Sequence, residues 1–355
     1  MMQNFPLKQV CPFQARAESG KRVMIREKVV TNLESCRALW DRFTVRRNIS
    51  DLWEFRACFQ KHFGNQTHFF VLEDDQGVLG LLPLSYLAEK DAYVLFPGET
   101  WKGKTWLERT QIYLRDPRIL GDLLDAAPER TYLRYLEWNE KDSIPHLEVD
   151  ETGYLFHPPE IGFLMKNYFQ RFVWKKLKAI KKEIENMLAP GFAWHVNRLT
   201  DYDIMVDMSL ATFGKSSYFY DGRFTEAFRD VLRFLSRNGW LRMVSLEIGG
   251  KTVAVDMAAI YRGTCVVLLG GTDPEFRGVA KAMNMQHLEF ACKQGLSRVD
   301  FLCGDFHWKK LWHLDPQPLY KYISPALKAE ETADKEIPSE TDFILALSEI
   351  GIARL

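Results

Sequence analysis

The chain has 355 residues, 46% of them hydrophobic and 26% charged, which excludes a disordered or low-complexity protein and predicts two domains. Lys plus Arg and Asp plus Glu both number 47, so the zero net charge disfavours a strongly basic nucleic-acid binder while leaving room for a local basic stripe. No apolar run approaches the roughly 18 residues that span a bilayer.

Residues 1–21 read as a loose leader without the apolar core of a secretory signal. A strand is expected over 22–30, then helices over 33–43 and 50–63. The second helix opens on Ser50-Asp51, good capping residues, and carries Leu52, Phe55, Phe59 and Phe63 near helical spacing. Apolar runs at 68–73 and 77–87, split by Asp74-Asp75-Gln76-Gly77, predict a hairpin. Further strands are expected near 92–96, 131–138 and 145–149. One long helix is expected over 165–188, apolar on one side and lysine-rich on the other, ended by Pro190-Gly191.

The second half repeats this logic. Helices are expected at 201–213 and 223–237. A hairpin follows, with Gly249-Gly250 between two β-rich runs. Then come a strand at 263–270, a helix at 278–294, and strands at 297–302 and 318–324. Residues 326–340 read as charged and mobile, before a short terminal helix. The matched order of helices and hairpins predicts duplication of one α/β unit. The chain then divides into a leader (1–21), an N-terminal unit (22–164), a connecting helix (165–189), a C-terminal unit (190–325) and a tail (326–355).

The six cysteines form no CxxC pair and read as buried free thiols in a reducing cytosol, which places the chain in the cytoplasm. His307 and His313 are six apart, off one helix face, and no carboxylate cluster flanks them, so no metal is expected. His287 reads as a satisfied structural histidine. Trp101 and Trp106, beside Lys102 and Lys104, suit sugar stacking or, more commonly, interdomain packing.

The segment Cys265–Ala291 carries the most chemistry. It reads as strand, glycine-containing turn and helix, with Arg277 just before the helix and small residues in its first turns. Unpaired N–H groups at such a helix start can hold an anion; equally, the alanines can serve helix propensity alone. Asp256 alternates with apolar neighbours in a predicted strand. It suits a general base facing a cleft, or a paired carboxylate.

Pro274-Glu275-Phe276-Arg277-Gly278 resembles the opening of the acyl-coenzyme A loop in GNAT acyltransferases, with Arg277, Ala280 and Ala282 at the loop's characteristic positions. Both small positions are Ala where Gly is commoner. Asp300-Phe301-Leu302-Cys303-Gly304, followed by Trp308-Lys309 and Trp312, resembles a signature of the GNAT subgroup associated with bacterial cellulose and exopolysaccharide synthesis. That subgroup is similar in architecture to Fem-type aminoacyl transferases. The resemblance covers roughly residues 25–325 and implies an α/β (α+β) fold of tandem GNAT-like units, each a mixed, largely antiparallel sheet flanked by helices. It implies an N-acyltransferase that takes acetyl-CoA or another acyl-CoA as co-substrate. The acceptor would be a small molecule, such as an amino sugar, or a saccharide or cell-envelope precursor.

The donor would lie on the backbone of Leu269, Gly270 and Gly271 and on the loop Arg277, Gly278, Val279, Ala280, Lys281 and Ala282. Asp256 would be the base, Lys309 the stabiliser of developing negative charge, and Tyr320 or Tyr322 the acid for the leaving thiolate. Without the resemblance, Lys309 reads as a snorkelling surface lysine and the tyrosines as core residues. The alternatives are an aminoacyl-tRNA-dependent Fem-type transferase and a non-catalytic GNAT-fold binding module. The run Lys175–Lys182 could contact tRNA, anionic lipid or a nucleotide-sugar diphosphate. Glu183 and Glu185 dilute its charge, so a solvated helix face is the preferred reading and tRNA is disfavoured.

Overall fold

The computed structural model describes residues 14–15, 23–101, 104–138, 147–304 and 307–333. The expected leader, apart from Gln14–Ala15, Lys102 beside the sugar-stacking candidate Trp101, and the tail beyond 333 lie outside these residues.

One 13-stranded mixed sheet organises the molecule. Its N-terminal half comprises β1 (Arg26–Val30), α1 (Leu33–Phe43), α2 (Trp53–Phe63), β2 (Gln66–Asp74), β3 (Gly77–Leu87), β4 (Ala92–Leu95), the short β5 (Tyr113–Leu114), α3 (Leu120–Asp125), β6 (Thr131–Leu136) and β7 (Glu148–Phe156). Two helices follow, α4 (Met165–Phe169) and α5 (Trp174–Leu188). The C-terminal half comprises β8 (Phe192–Val196), α6 (Asp201–Phe213), α7 (Gly222–Arg237), β9 (Leu241–Ile248), β10 (Lys251–Tyr261), β11 (Thr264–Thr272), α8 (Val279–Lys293), β12 (Arg298–Asp300), α9 (His307–Leu311) and β13 (Asp315–Ile323), before α10 (Pro325–Ala333).

The two halves share one plan. In each, a strand and two helices lead into three antiparallel strands, then a helix and a strand parallel to the last of the three. β4 pairs in parallel with β6, and β11 with β12. The final strands are exchanged. β7 follows β6 in the chain but pairs with β12 of the other half, and β13 pairs with β6. β7 and β13 also pair with each other, antiparallel, at the centre of the sheet. Backbone hydrogen bonds therefore knit the halves together, and neither is closed by its own last strand.

Local chemistry explains the elements. Asn32 caps α1 by accepting from Ser35 N at 3.0 Å. Gly249 and Gly250, at φ +59° and +80°, make the tight turn between β9 and β10 that only such residues adopt cheaply. On one face of the sheet, α2 of the first half packs on α7 of the second. Phe59 meets Phe228 edge-to-face at 5.0 Å inside a core cluster shared by both halves. On the other face α4, α5 and α8 cover β7, β10, β11 and β12.

The single helix expected over 165–188 is two. Tyr168 and Phe172 are both buried around the break, and the Tyr168 hydroxyl donates to the carbonyl of Trp312. An apolar stripe at helical spacing is compatible with one helix or with two that fold onto the same core. The edge strand β8 and the short helices α3 and α9 carried too little periodicity to be anticipated.

Candidate active site

β11 and β12 pair at only three positions, ending at Val266 and Asp300. β12 then stops while β11 continues to Thr272, so the strands splay. β11 is also bulged: Met257 opposes Leu269 and Ala258 opposes Val267, leaving Leu268 as the extra residue. A bulge turns the strand and re-aims its backbone groups. The splay opens into a narrow cleft walled by Phe55, Trp106, Leu268 and Leu302 and floored by Glu108, Arg109 and Asp300. Residues from both halves build it.

The floor is a charged network in the protein interior. Arg109 Nε lies 2.6 Å from Asp300 Oδ2 and Arg109 Nη1 lies 3.3 Å from Glu137 Oε1. Asp300 Oδ1 accepts from Leu302 N at 2.9 Å. Arg109, Leu302 and Tyr135 all hold positive φ, between 53° and 60°. Such strain in non-glycine residues persists only where surrounding contacts over-determine it. Gly153 of β7 lies under the guanidinium, and a Cβ there would stand 2.5 Å from Arg109 Nη2. Among the described residues, Asn48 Nδ2, Trp106 Nε1 and Arg109 Nη2 are buried donors without a hydrogen-bond acceptor, and all three residues line the cleft.

Glu108 is half-buried at the cleft and accepts from Cys303 N at 2.5 Å. Burial pushes its carboxyl up to about 7, against the lowering effects of Cys303 and Lys309. A carboxyl poised there can take a proton and return it near neutral pH. Burial and the Glu108 charge push the Cys303 thiol up, so it is not a nucleophilic thiolate.

Lys309 is 2% exposed. Its Nζ donates to Leu302 O at 3.0 Å and also to Cys303 O, and lies 5.3 Å from the Tyr154 ring centre. Burial lowers its pKa, while Glu108 opposes that shift. It is thus not a snorkelling surface lysine: its ammonium is buried and held by the carbonyls of the 302–303 turn. It sits beneath the 302–303 turn and fixes the loop that contacts Glu108.

Asp256 lies in β10 opposite Gly270. Its Oδ2 meets His287 Nε2 at 2.9 Å, and His287 Nδ1 meets Arg242 Nη1 at 2.9 Å. Because Arg242 can only donate, Nδ1 accepts and Nε2 carries the proton toward Asp256. This buried chain lies beneath α8 and Asp256 does not line the cleft, which speaks for the paired-carboxylate alternative. Tyr320 packs in the cluster beside Tyr322, whereas its neighbour Leu319 packs with Tyr135 and Cys303. Alternation in β13 therefore turns Tyr320 away from the Cys303 side. The Tyr322 hydroxyl donates to Leu124 O at 3.0 Å, as a core tyrosine does.

The expected donor residues divide. Leu269 is buried in the core cluster shared by the two halves. Gly270 and Gly271 leave room for neighbours: a Cβ would stand 2.4 Å from Asp256 Oδ1 at the first and 2.9 Å from Met205 O at the second. Val279 and Ala282 face the core, whereas Arg277 and Ala280 are exposed. Gly278, at φ +88°, is the N-cap of α8 without a side-chain capping bond. Glu183 of α5 stands at this helix start, its Cγ 3.1 Å from where a Gly278 Cβ would be, and its Oε2 pairs with Lys281 Nζ at 2.6 Å. A carboxylate of the chain itself thus stands close to the start of α8, paired with Lys281.

Sequence reasoning missed Glu108, Arg109 and Asn48. Trp106 was singled out, and it packs edge-to-face on Tyr218 and Phe228 of the other half, at 4.7 and 5.2 Å. Among the described residues, His157, Glu160 and Asp315 form the one cluster with metal-ligand geometry; Arg171 pairs with both carboxylates at 3.4 and 3.5 Å.

Residues 175–310 match the family described as Acetyltransferase (GNAT) domain. Among solved structures, the chain is similar to a conserved protein of unknown function from Bacteroides thetaiotaomicron, at 15% identity over 84% of this chain and 99% of that one, with a TM-score of 0.50. L-PGS from Bacillus licheniformis gives 12% identity over 92% of this chain and 98% of that one, TM-score 0.50. FemX gives 12% identity over 84% and 97%, TM-score 0.50. These likenesses establish the fold, a mixed α/β architecture of tandem GNAT-like units. No curated protein matches the chain.

Proposed function

We propose that this chain is a GNAT-type N-acyltransferase whose reaction takes place in the cleft between β11 and β12. The observation that carries the reading is the conjunction, in one cleft, of a bulged and splayed strand with the Glu108 carboxyl, whose pKa burial raises. The amine nitrogen attacks the acyl carbonyl, the new C–N bond forms, and the bond to the donor's sulfur or oxygen breaks. Glu108 takes the proton lost by the amine; the leaving group takes one from solvent. Buried donors at Asn48, Trp106 and Arg109 suit the oxygens of the acyl group and acceptor.

The donor we favour is an acyl-CoA, whose pyrophosphate would need the start of α8 and the displacement of Glu183. A second reading, an aminoacyl ester donor such as aminoacyl-tRNA, is favoured by Glu183 and Lys281 already standing paired close to that helix start. The acceptor is an amine; an amino sugar or envelope precursor follows from the sequence resemblance alone. Calorimetric titration with acetyl-CoA and longer acyl-CoAs, coupled to transfer assays on a panel of amines, tests this. Heat of binding that increases in Glu183→Gln, with transfer, supports acyl-CoA. Transfer from aminoacyl-tRNA without CoA binding supports the second reading. Transfer from neither leaves a binding module and overturns the proposal.

A further inference from the structure

The exposed face of α5 concentrates several unpaired lysines on one helix. Elsewhere some exposed lysines pair with carboxylates, Lys61 with Asp230 at 2.7 Å, Lys251 with Asp273 at 2.6 Å and Lys328 with Glu148, while Lys28, Lys90, Lys166 and Lys293 are exposed singly without an ion pair among the described residues. On α5, Lys175, Lys176, Lys178 and Lys182 are exposed, and none has an ion pair among the described residues. Of the two carboxylates on α5, Glu183 is held by Lys281, which leaves the exposed Glu185 against four exposed lysines. Trp174 heads the same helix at 72% exposure, preceded by Val173 at 64%, and Phe163 and Leu164 before α4 are also exposed. The helix buries a different side, through Leu177, Ile180 and Ile184. Trp174, Lys178 and Lys182 follow one another at i, i+4 and i+8, so they share the outward stripe.

We propose that this face docks the protein on an anionic lipid bilayer. Lysine stems and ammonium groups beside an uncovered tryptophan and valine suit the boundary between headgroups and acyl chains, where charge meets phosphate and apolar groups enter the interface. A polyanion such as RNA would explain the lysines but leaves Val173 and Leu164 without a function. No helix among the described residues is long and apolar enough to cross a membrane, so the contact is peripheral. This inference stands independently of the acyl-transfer reading.

Co-sedimentation of the full chain with vesicles tests it. The native protein is expected to bind phosphatidylglycerol–phosphatidylcholine vesicles and not phosphatidylcholine alone, with binding weakened by salt. Lys→Gln changes at 175, 178 and 182 should weaken binding by about fivefold for each lysine. Trp174→Ala should weaken it further, with the melting temperature unchanged in every variant. Absence of binding to anionic vesicles overturns the proposal. So does an equal affinity of the triple lysine variant, or lysine variants that abolish binding of a tRNA mixture while vesicle binding persists. Loss of self-association in Trp174→Ala, with no vesicle binding by the native chain, assigns the face to a second copy instead.

Discussion

Arg109 of the N-terminal half and Asp300 of the C-terminal half form an ion pair of 2.6 Å in which both side chains are almost wholly buried. The pair crosses the junction at which the two halves exchange their last strands. Removing one partner strands the other charge in the interior, which typically costs about 3–5 kcal/mol. Arg109→Met should destabilise by that order in urea unfolding. Asp300→Asn should cost less, because Glu137 still accompanies the guanidinium. A double-mutant cycle between 109 and 300 should show clear coupling.

Gly153 tests whether the guanidinium's position is set by close approach to backbone. Its missing Cβ leaves room for Arg109 Nη2. Gly153→Ala should cost about 1–3 kcal/mol by overpacking. The penalty should shrink in an Arg109→Met background, where no Nη2 stands in the way. An equal penalty in both backgrounds, read by chemical denaturation, would place the clash elsewhere.

The raised pKa of Glu108 has a definite sign in stability. Its folded value, about 7, lies above its ordinary value of 4.5. The stabilisation of the neutral carboxyl is therefore complete below about pH 4.5 and is lost as pH rises through 7. Glu108→Gln, which stays neutral, should gain stability relative to the native chain above pH 7 by up to about 3 kcal/mol, and show little difference at pH 5. Melting temperatures across pH 5–9 read this directly.

Lys309→Met should lower both stability and turnover, because Leu302 O and Cys303 O lose a buried donor. Each unsatisfied group costs about 1–3 kcal/mol. Lys309 also lowers the Glu108 pKa, so without it the acidic limb of the pH–rate profile should move to higher pH. A drop in stability with the limb unmoved would make Lys309 purely structural.

Much of this fold was legible in local pattern. The helix over 33–43 and the hairpin around Gly249-Gly250 follow from capping and turn residues. The order of helices and strands that repeats in the two halves was visible too. Strand exchange was not, because a strand's partner depends on the whole sheet and leaves no mark in its own sequence. That exchange, by setting β7 beside β12, determines which side chains meet at the cleft. Lys309 stood out through the resemblance of its Trp308-Lys309 motif, while its aromatic neighbours alone suggested a snorkelling lysine. Glu108 and Arg109 look in sequence like any charged pair in a loop; they acquire a role only when Cys303 and Asp300 arrive from the other half.

The most direct measurement is the pH–rate profile of amine acylation by the native protein, Glu108→Gln and Asp256→Asn, with whichever donor supports transfer. If Glu108 is the base, Glu108→Gln should lower kcat/KM by about 10²–10⁴-fold and remove the limb near pH 7. Asp256→Asn, acting through a buried chain away from the cleft, should keep that limb and most of the turnover. Native turnover in Glu108→Gln, with turnover abolished in a folded Asp256→Asn, would contradict the assignment and move the chemistry to β10.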